Sequence, residues 1–120
     1  MSRRILVVDD SPIILGAVRH ALTEAGYACE TCGTFEELAS HHVDAFDLVL
    51  MDVQMPELFG DDVAVALRQR KVTAPIYLFS TLDETELATR VKDAGLDGYI
   101  SKKRGLEHLV GELMKIFGGS

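Results

Sequence analysis

Read for apolar and polar positions, the chain alternates short apolar runs with longer segments whose apolar residues recur at helical spacing. The runs are "RILVV" from Arg4, "ACET" from Ala28, "LVLM" from Leu48, "IYLF" from Ile76 and "GYI" from Gly98. Between the first two, Pro12 to Ala25 puts Ile14, Ala17, Val18, Ala21 and Ala25 on one helical face. Ser11 with Pro12 starts this helix, and Thr34 with Glu37 spells a capping box for a short second one. Further helices are expected from about Asp61 to Arg70, Glu84 to Ala94 and Leu106 to Phe117, with Asp83 and Glu86 resembling another box and Gly26 and Gly95 marking stops. This is a repeated strand–helix alternation.

A run such as "LVLM" has no polar alternation, so it is buried on both faces. Such strands need helices above and below a parallel sheet, joined by right-handed crossovers, which predicts an open, doubly wound α/β fold of five strands. A length of 120 residues at 48% hydrophobic content suits one domain spanning the chain. In sheets of this kind the functional crevice lies beyond the carboxyl ends of the strands.

Net charge narrows the partners. At −7, the surface offers no general attraction for nucleic acid or an anionic membrane, and sites that take cations are favoured. No apolar run approaches the length of a membrane span, and the apolar core of "MSRRILVVDD" is too short for a secretory signal, so a cytoplasmic protein is expected. Cys29 and Cys32 form C-x-x-C but fall in a strand, where residues three apart face opposite sides, so neither a redox pair nor a zinc site is expected. His41 and His42 read as solvated surface residues.

The strand ends carry the chemistry. "DLVLMDVQMP" closes an apolar strand on one carboxylate, Asp52, which costs several kcal/mol in a core unless the end is wet or paired. Asp9 and Asp10 follow the first strand, Ser80 and Thr81 the fourth, and Ser101, Lys102 and Lys103 the fifth. Brought together, the three acids repel one another and raise their pKa values unless a cation neutralises them. Carboxylates without His or Cys suit a hard ion, Mg²⁺ above all, which keeps waters that a phosphate can replace. The plainer alternative is a set of solvated loop acids; an acid, a hydroxyl and a lysine at the ends of different strands speak against it.

In this order, "VVDD", "LMDVQMP", "FST" and "GYISK" resemble the receiver domain of two-component response regulators over essentially the whole chain, with Met55, Pro56 and Gly60 after Asp52 as that family's pattern expects. The resemblance implies a flavodoxin-like fold with sheet order 2-1-3-4-5. It implies that Asp52 accepts a phosphoryl group from a histidine of a sensor kinase or phosphotransfer protein. Asp10, Asp52 and the backbone carbonyl of Gln54 would hold Mg²⁺, with Asp9 supporting it directly or through water. Lys102 and the Ser80 hydroxyl would each take a phosphoryl oxygen. Tyr99 falls at the family's aromatic switch position. The face of helix four, strand five and helix five would then bind a downstream protein or a second copy of the chain. At most, such a protein phosphorylates itself from small donors and slowly loses the group; it is not an enzyme in the ordinary sense.

Three positions depart from the pattern. Ser80 stands where Thr is also common, Thr81 where a smaller residue is favoured, and Lys103 where proline usually follows the lysine. Without proline a trans Lys102–Lys103 peptide is expected, since a cis bond costs about 2.5–4 kcal/mol. A haloacid-dehalogenase-type phosphatase would need an acid where this chain has Gln54, and a dinucleotide-binding domain would need glycines where it has "VVDDSPI". The remaining rival is a receiver-like interaction module that is never phosphorylated. With no effector after Phe117, the chain reads as a stand-alone receiver or one cut from a larger regulator.

Overall fold

In the computed structural model, which describes residues 2–55 and 59–118 apart from the side chain of Phe35, the apolar runs become five parallel strands. They are β1 (Arg4–Val8), β2 (Ala28–Cys32), β3 (Leu48–Met51), β4 (Ile76–Ser80) and β5 (Gly98–Ser101), in the order β2-β1-β3-β4-β5. The helices are α1 (Pro12–Glu24), α2 (Phe35–Ala39), α3 (Gly60–Gln69), α4 (Glu84–Ala94) and α5 (Gly105–Ile116). Single 3-10 turns at Val43–Ala45 and Lys102–Arg104 join α2 to β3 and β5 to α5.

Strand alternation divides the core into two layers. Leu6, Val8, Val49, Met51, Ile76 and Leu78 point to the side of α2, α3 and α4, where they meet Leu38, Val63, Leu67 and Leu87. Ile5, Val7, Leu48, Leu50, Phe79 and Ile100 point to the other side, onto Val18 and Leu22 of α1 and Leu109 and Leu113 of α5. Both faces are covered, as unbroken apolar strands require.

The helix signals hold unevenly. Ser11 Oγ accepts from Ile14 N at 3.3 Å, with Pro12 opening α1. Thr34 Oγ1 accepts from Glu37 N at 3.2 Å, but Glu37 returns to Gly33 N (3.4 Å), one residue before the position a capping box uses, and α2 ends after five residues. Asp83 stands at the start of α4 without capping it, because its carboxylate takes Lys103 Nζ at 3.1 Å instead. Gly95 ends α4 in the left-handed region at φ 67°; α3 has no glycine stop, and Lys71 adopts the same φ.

Cys29 packs in the α1/α5 layer and Cys32 in the opposite one, so the pair is divided by the sheet. Burial pushes the thiols up to about 11 and about 12, which removes the reactive thiolate. His41 is a correction to the sequence reading. It is half-buried rather than solvated, with Nδ1 2.7 Å from Glu37 O and 3.4 Å from Cys32 Sγ and its ring tilted against Phe46, because α2 stops early and turns it inward. His42 is exposed.

Candidate functional site

Hydrogen bonding of the sheet continues one residue past the strands and fixes the two buried acids. Asp9 N donates to Cys32 O at 3.0 Å and Asp52 N to Val8 O at 2.9 Å, so both carboxylates are held by the ladder rather than by a loose loop. Asp9 is 1% and Asp52 5% exposed, while Asp10 faces solvent. One oxygen from each of the three lies within 4.8 Å of the others.

Lys102 is the cation of this cluster. Its Nζ stands 2.5 Å from Asp9 Oδ2 and 3.5 Å from Asp52 Oδ1, and 5.4 Å from the centroid of the Phe79 ring beneath it. It therefore reaches Asp52, as the sequence suggests, but it grips Asp9 more closely. Asp9 Oδ1 also accepts from Ser11 N (2.9 Å), and Asp52 Oδ1 from Gln54 N (3.3 Å).

Burial pushes the Asp52 carboxyl above its ordinary range; Lys102 opposes the rise and Asp9 adds to it. Repulsion among the acids, expected from sequence as the cause, is thus second to burial.

The hydroxyls separate in role. Ser80 Oγ, fully buried, accepts from Leu82 N at 3.2 Å. Ser101, counted from sequence among the strand-end groups, is buried, and its Oγ accepts from Lys103 N (3.2 Å). It shapes the 3-10 turn that carries Lys102. No cis peptide occurs among the described residues, so Lys102–Lys103 is trans as expected. Thr81 is exposed; Tyr99 is half-buried, with Oη 3.4 Å from Glu84 Oε1. Pro56 lies outside the described residues.

Gly60, met in sequence only as part of a pattern, has a steric reason. A Cβ there would stand 1.7 Å from Asp52 O, because Gly60 N donates to Val53 O at 2.8 Å and brings the start of α3 onto the backbone of Asp52. Sequence reasoning missed Glu84, which also binds Arg104 (Nη2 2.8 Å), and the pair of Asp61 with Arg90. Neither leaves a local signal, since the partners are far apart in the chain.

Three carboxylates face one ammonium. With only oxygen donors and excess negative charge, the set fits a hard divalent ion such as Mg²⁺.

Residues 5–114 match the family model described as the response regulator receiver domain. The chain belongs to this family. Receivers are signalling domains rather than enzymes in the ordinary sense. The transcriptional regulatory protein KdpE of Mycobacterium tuberculosis is 34% identical over 113 residues, covering 91% of this chain and 48% of that protein. This receiver thus spans about half the length of the curated relative. Among solved structures, the chemotaxis response regulator CheY4 of Vibrio cholerae is 31% identical at a TM-score of 0.85, covering 97% of this chain and 99% of that one. The response regulator TrrA of Thermotoga maritima, solved in complex with Mg²⁺ and BeF, is 31% identical at a TM-score of 0.80, covering 95% and 98%. The fold expected from sequence, including the strand order, is the one observed.

Proposed function

We propose that this receiver accepts a phosphoryl group on Asp52 from a phosphohistidine of a sensor kinase or phosphotransfer protein. The observation that carries the reading is Asp52 itself: a buried carboxylate held at the end of a central strand, within reach of Lys102 and of two further acids. Oδ1 is engaged by Gln54 N and Lys102, which leaves Oδ2 to attack phosphorus. The new O–P bond forms as the P–N bond breaks, and the electron pair returns to the imidazole nitrogen of the donor.

Mg²⁺ held by Asp9, Asp10, Asp52 and the carbonyl of Gln54 supplies neutralisation of phosphoryl oxygens. Lys102 turns from Asp9 toward one oxygen of the transferred group. The Ser80 hydroxyl, which accepts from Leu82 N, donates its proton to another. Thr81, exposed at the mouth, narrows the approach. Gln54 and Leu82 flank the path of a hydrolytic water, and since neither is a carboxylate base, loss of the group is slow to moderate.

The outgoing signal passes through Tyr99 to the face of α4, β5 and α5, where a downstream protein or a second copy of the chain binds. The chain works in the cytoplasm as one receiver domain, without direct contact to nucleic acid. No helix among the described residues is long and apolar enough to cross a membrane. Mass spectrometry with acetyl phosphate and Mg²⁺ tests the proposal. A phosphoryl mass gain absent in Asp52→Asn is expected; no gain in wild type favours the unphosphorylated interaction module.

A further inference from the structure

Arg90 of α4 plays no part in the site described above, yet it is among the most constrained cations on the surface. Its Nη1 lies 3.0 Å from both carboxylate oxygens of Asp61, its Nε lies 3.0 Å from Glu86 Oε2 one turn back, and its guanidinium stands 5.2 Å from the centroid of the Phe59 ring. The Arg90 and Asp61 side chains are 25% and 16% exposed, against 58% and 84% for Lys103 and Asp83. Partial burial spares the first pair much of the screening that makes exposed pairs weak.

Besides Glu86 on its own helix, Arg90 grips Asp61 and Phe59, and both of these belong to the segment leaving Asp52. Phe59 forms an isolated antiparallel bridge with Gln54, and Gln54 N donates to Asp52 Oδ1. Gly60 and Asp61 open α3, and Gly60 sits against Asp52 O with no room for even a methyl group. The start of α3 therefore has no slack relative to the Asp52 backbone. Wherever α3 begins, Phe59 and Gln54 must follow.

We infer that Arg90 is a positioning residue for the phosphoacceptor: by holding Asp61 and the Phe59 ring it keeps the Gln54–Phe59 bridge opposite Asp52. It also joins the site to α4 by a route separate from Ser80 and Tyr99. The inference rests on the reading of Asp52 as phosphoacceptor. It accounts for Phe59 as well, a large aromatic that is 53% exposed and that the guanidinium covers on one face.

The test uses the full chain, first without metal. In Arg90→Gln, amide hydrogen exchange at Gly60 should quicken and the amide resonances of Gln54 and Phe59 should shift, while exchange in β1 and β3 stays as in wild type. Mg²⁺ titration followed at the same amides should give a weaker affinity, by less than the roughly tenfold lost with a direct partner of a metal ligand, because Arg90 reaches Gln54 only through Phe59. Asp61→Asn should do the same, and the double variant should be no worse than either single one. Unchanged Gly60 exchange in Arg90→Gln, or losses that simply add in the double variant, would overturn the inference. A wild type that gains no phosphoryl mass sinks the Asp52 reading instead, and the metal-free amide comparison still judges Arg90.

Discussion

Lys102 binds Asp9 more closely than it binds Asp52, at 2.5 Å against 3.5 Å, although both carboxylates are buried beneath it. The ammonium is thus stored on a neighbouring acid, and Asp52's competitor for it is Asp9 rather than solvent. On the proposed reading, a phosphoryl group on Asp52 would offer new acceptor oxygens, and the lysine would need to move only a short distance to meet them.

Removing that cation should leave two buried carboxylates facing each other. Lys102→Met is expected to destabilise the metal-free protein by about 3 kcal/mol, the low end for breaking a buried pair from one side. Millimolar Mg²⁺ should restore part of the loss. Urea unfolding with and without Mg²⁺ measures both, and a variant as stable as wild type in either condition contradicts the pairing.

Asp52 sets a pH dependence whose sign follows from burial. Its folded pKa lies above that of the unfolded chain, so between the two the native state holds a proton that the unfolded state lacks. Stability from this group is full below the unfolded pKa and is lost as pH rises through the folded one. Metal-free Asp52→Asn should therefore melt higher than wild type at neutral pH, with the gap closing in acid near pH 4 (about the ordinary Asp range). Thermal melts across pH decide it; a gap that widens on acidification means the carboxylate is stabilised as an anion.

The apolar runs and the strand-end acids are legible in sequence because a doubly covered strand tolerates no polar residue until it ends, which makes Asp9 and Asp52 stand out. Lys102 against Asp9 is not, since 93 residues separate the partners and only the strand order brings them together. Asp83 shows the limit of local signals: its position is a cap, but the exposed ammonium of Lys103 draws its carboxylate away. His41 fails for a similar reason, because its burial depends on how soon α2 stops.

Gly60→Ala tests the fit between α3 and Asp52. The added methyl meets backbone that cannot turn aside, so overpacking should cost about 1–3 kcal/mol and weaken Mg²⁺ binding together. Loss of stability without any change in metal affinity would mean that α3 yields without disturbing Asp52.

The two cysteines should be inert in the native state. With thiols pushed up to about 11 and about 12, the thiolate fraction at pH 8 is on the order of one in a thousand or less. Alkylation by iodoacetamide should be slow until urea unfolds the chain, and rapid native labelling of Cys32 would show that its layer opens.

The last expectation concerns how Tyr99 is held. Glu84 accepts from Arg104 at 2.9 Å and 2.8 Å, whereas its contact with Tyr99 Oη is a longer 3.4 Å. Of these bonds the phenol's is the weak one, so Tyr99 can leave while Glu84 stays fixed to the turn before α5. Under the proposed phosphorylation of Asp52 the move would depend on Ser80, whose hydroxyl accepts from Leu82 N and would be drawn toward the new oxygens, opening space behind it. With beryllofluoride and Mg²⁺ as the phosphoryl mimic, amide shifts in wild type should spread from Asp52 to Tyr99 and Leu87. In Ser80→Ala the shifts at Tyr99 should vanish, while those at Phe59 and Arg90 persist through the start of α3. Tyr99→Phe should cost no more than about 1 kcal/mol, as befits one long hydrogen bond. If Tyr99 responds equally in wild type and Ser80→Ala, the serine does not drive the ring, and the contact through Arg90 becomes the route by which α4 senses the site.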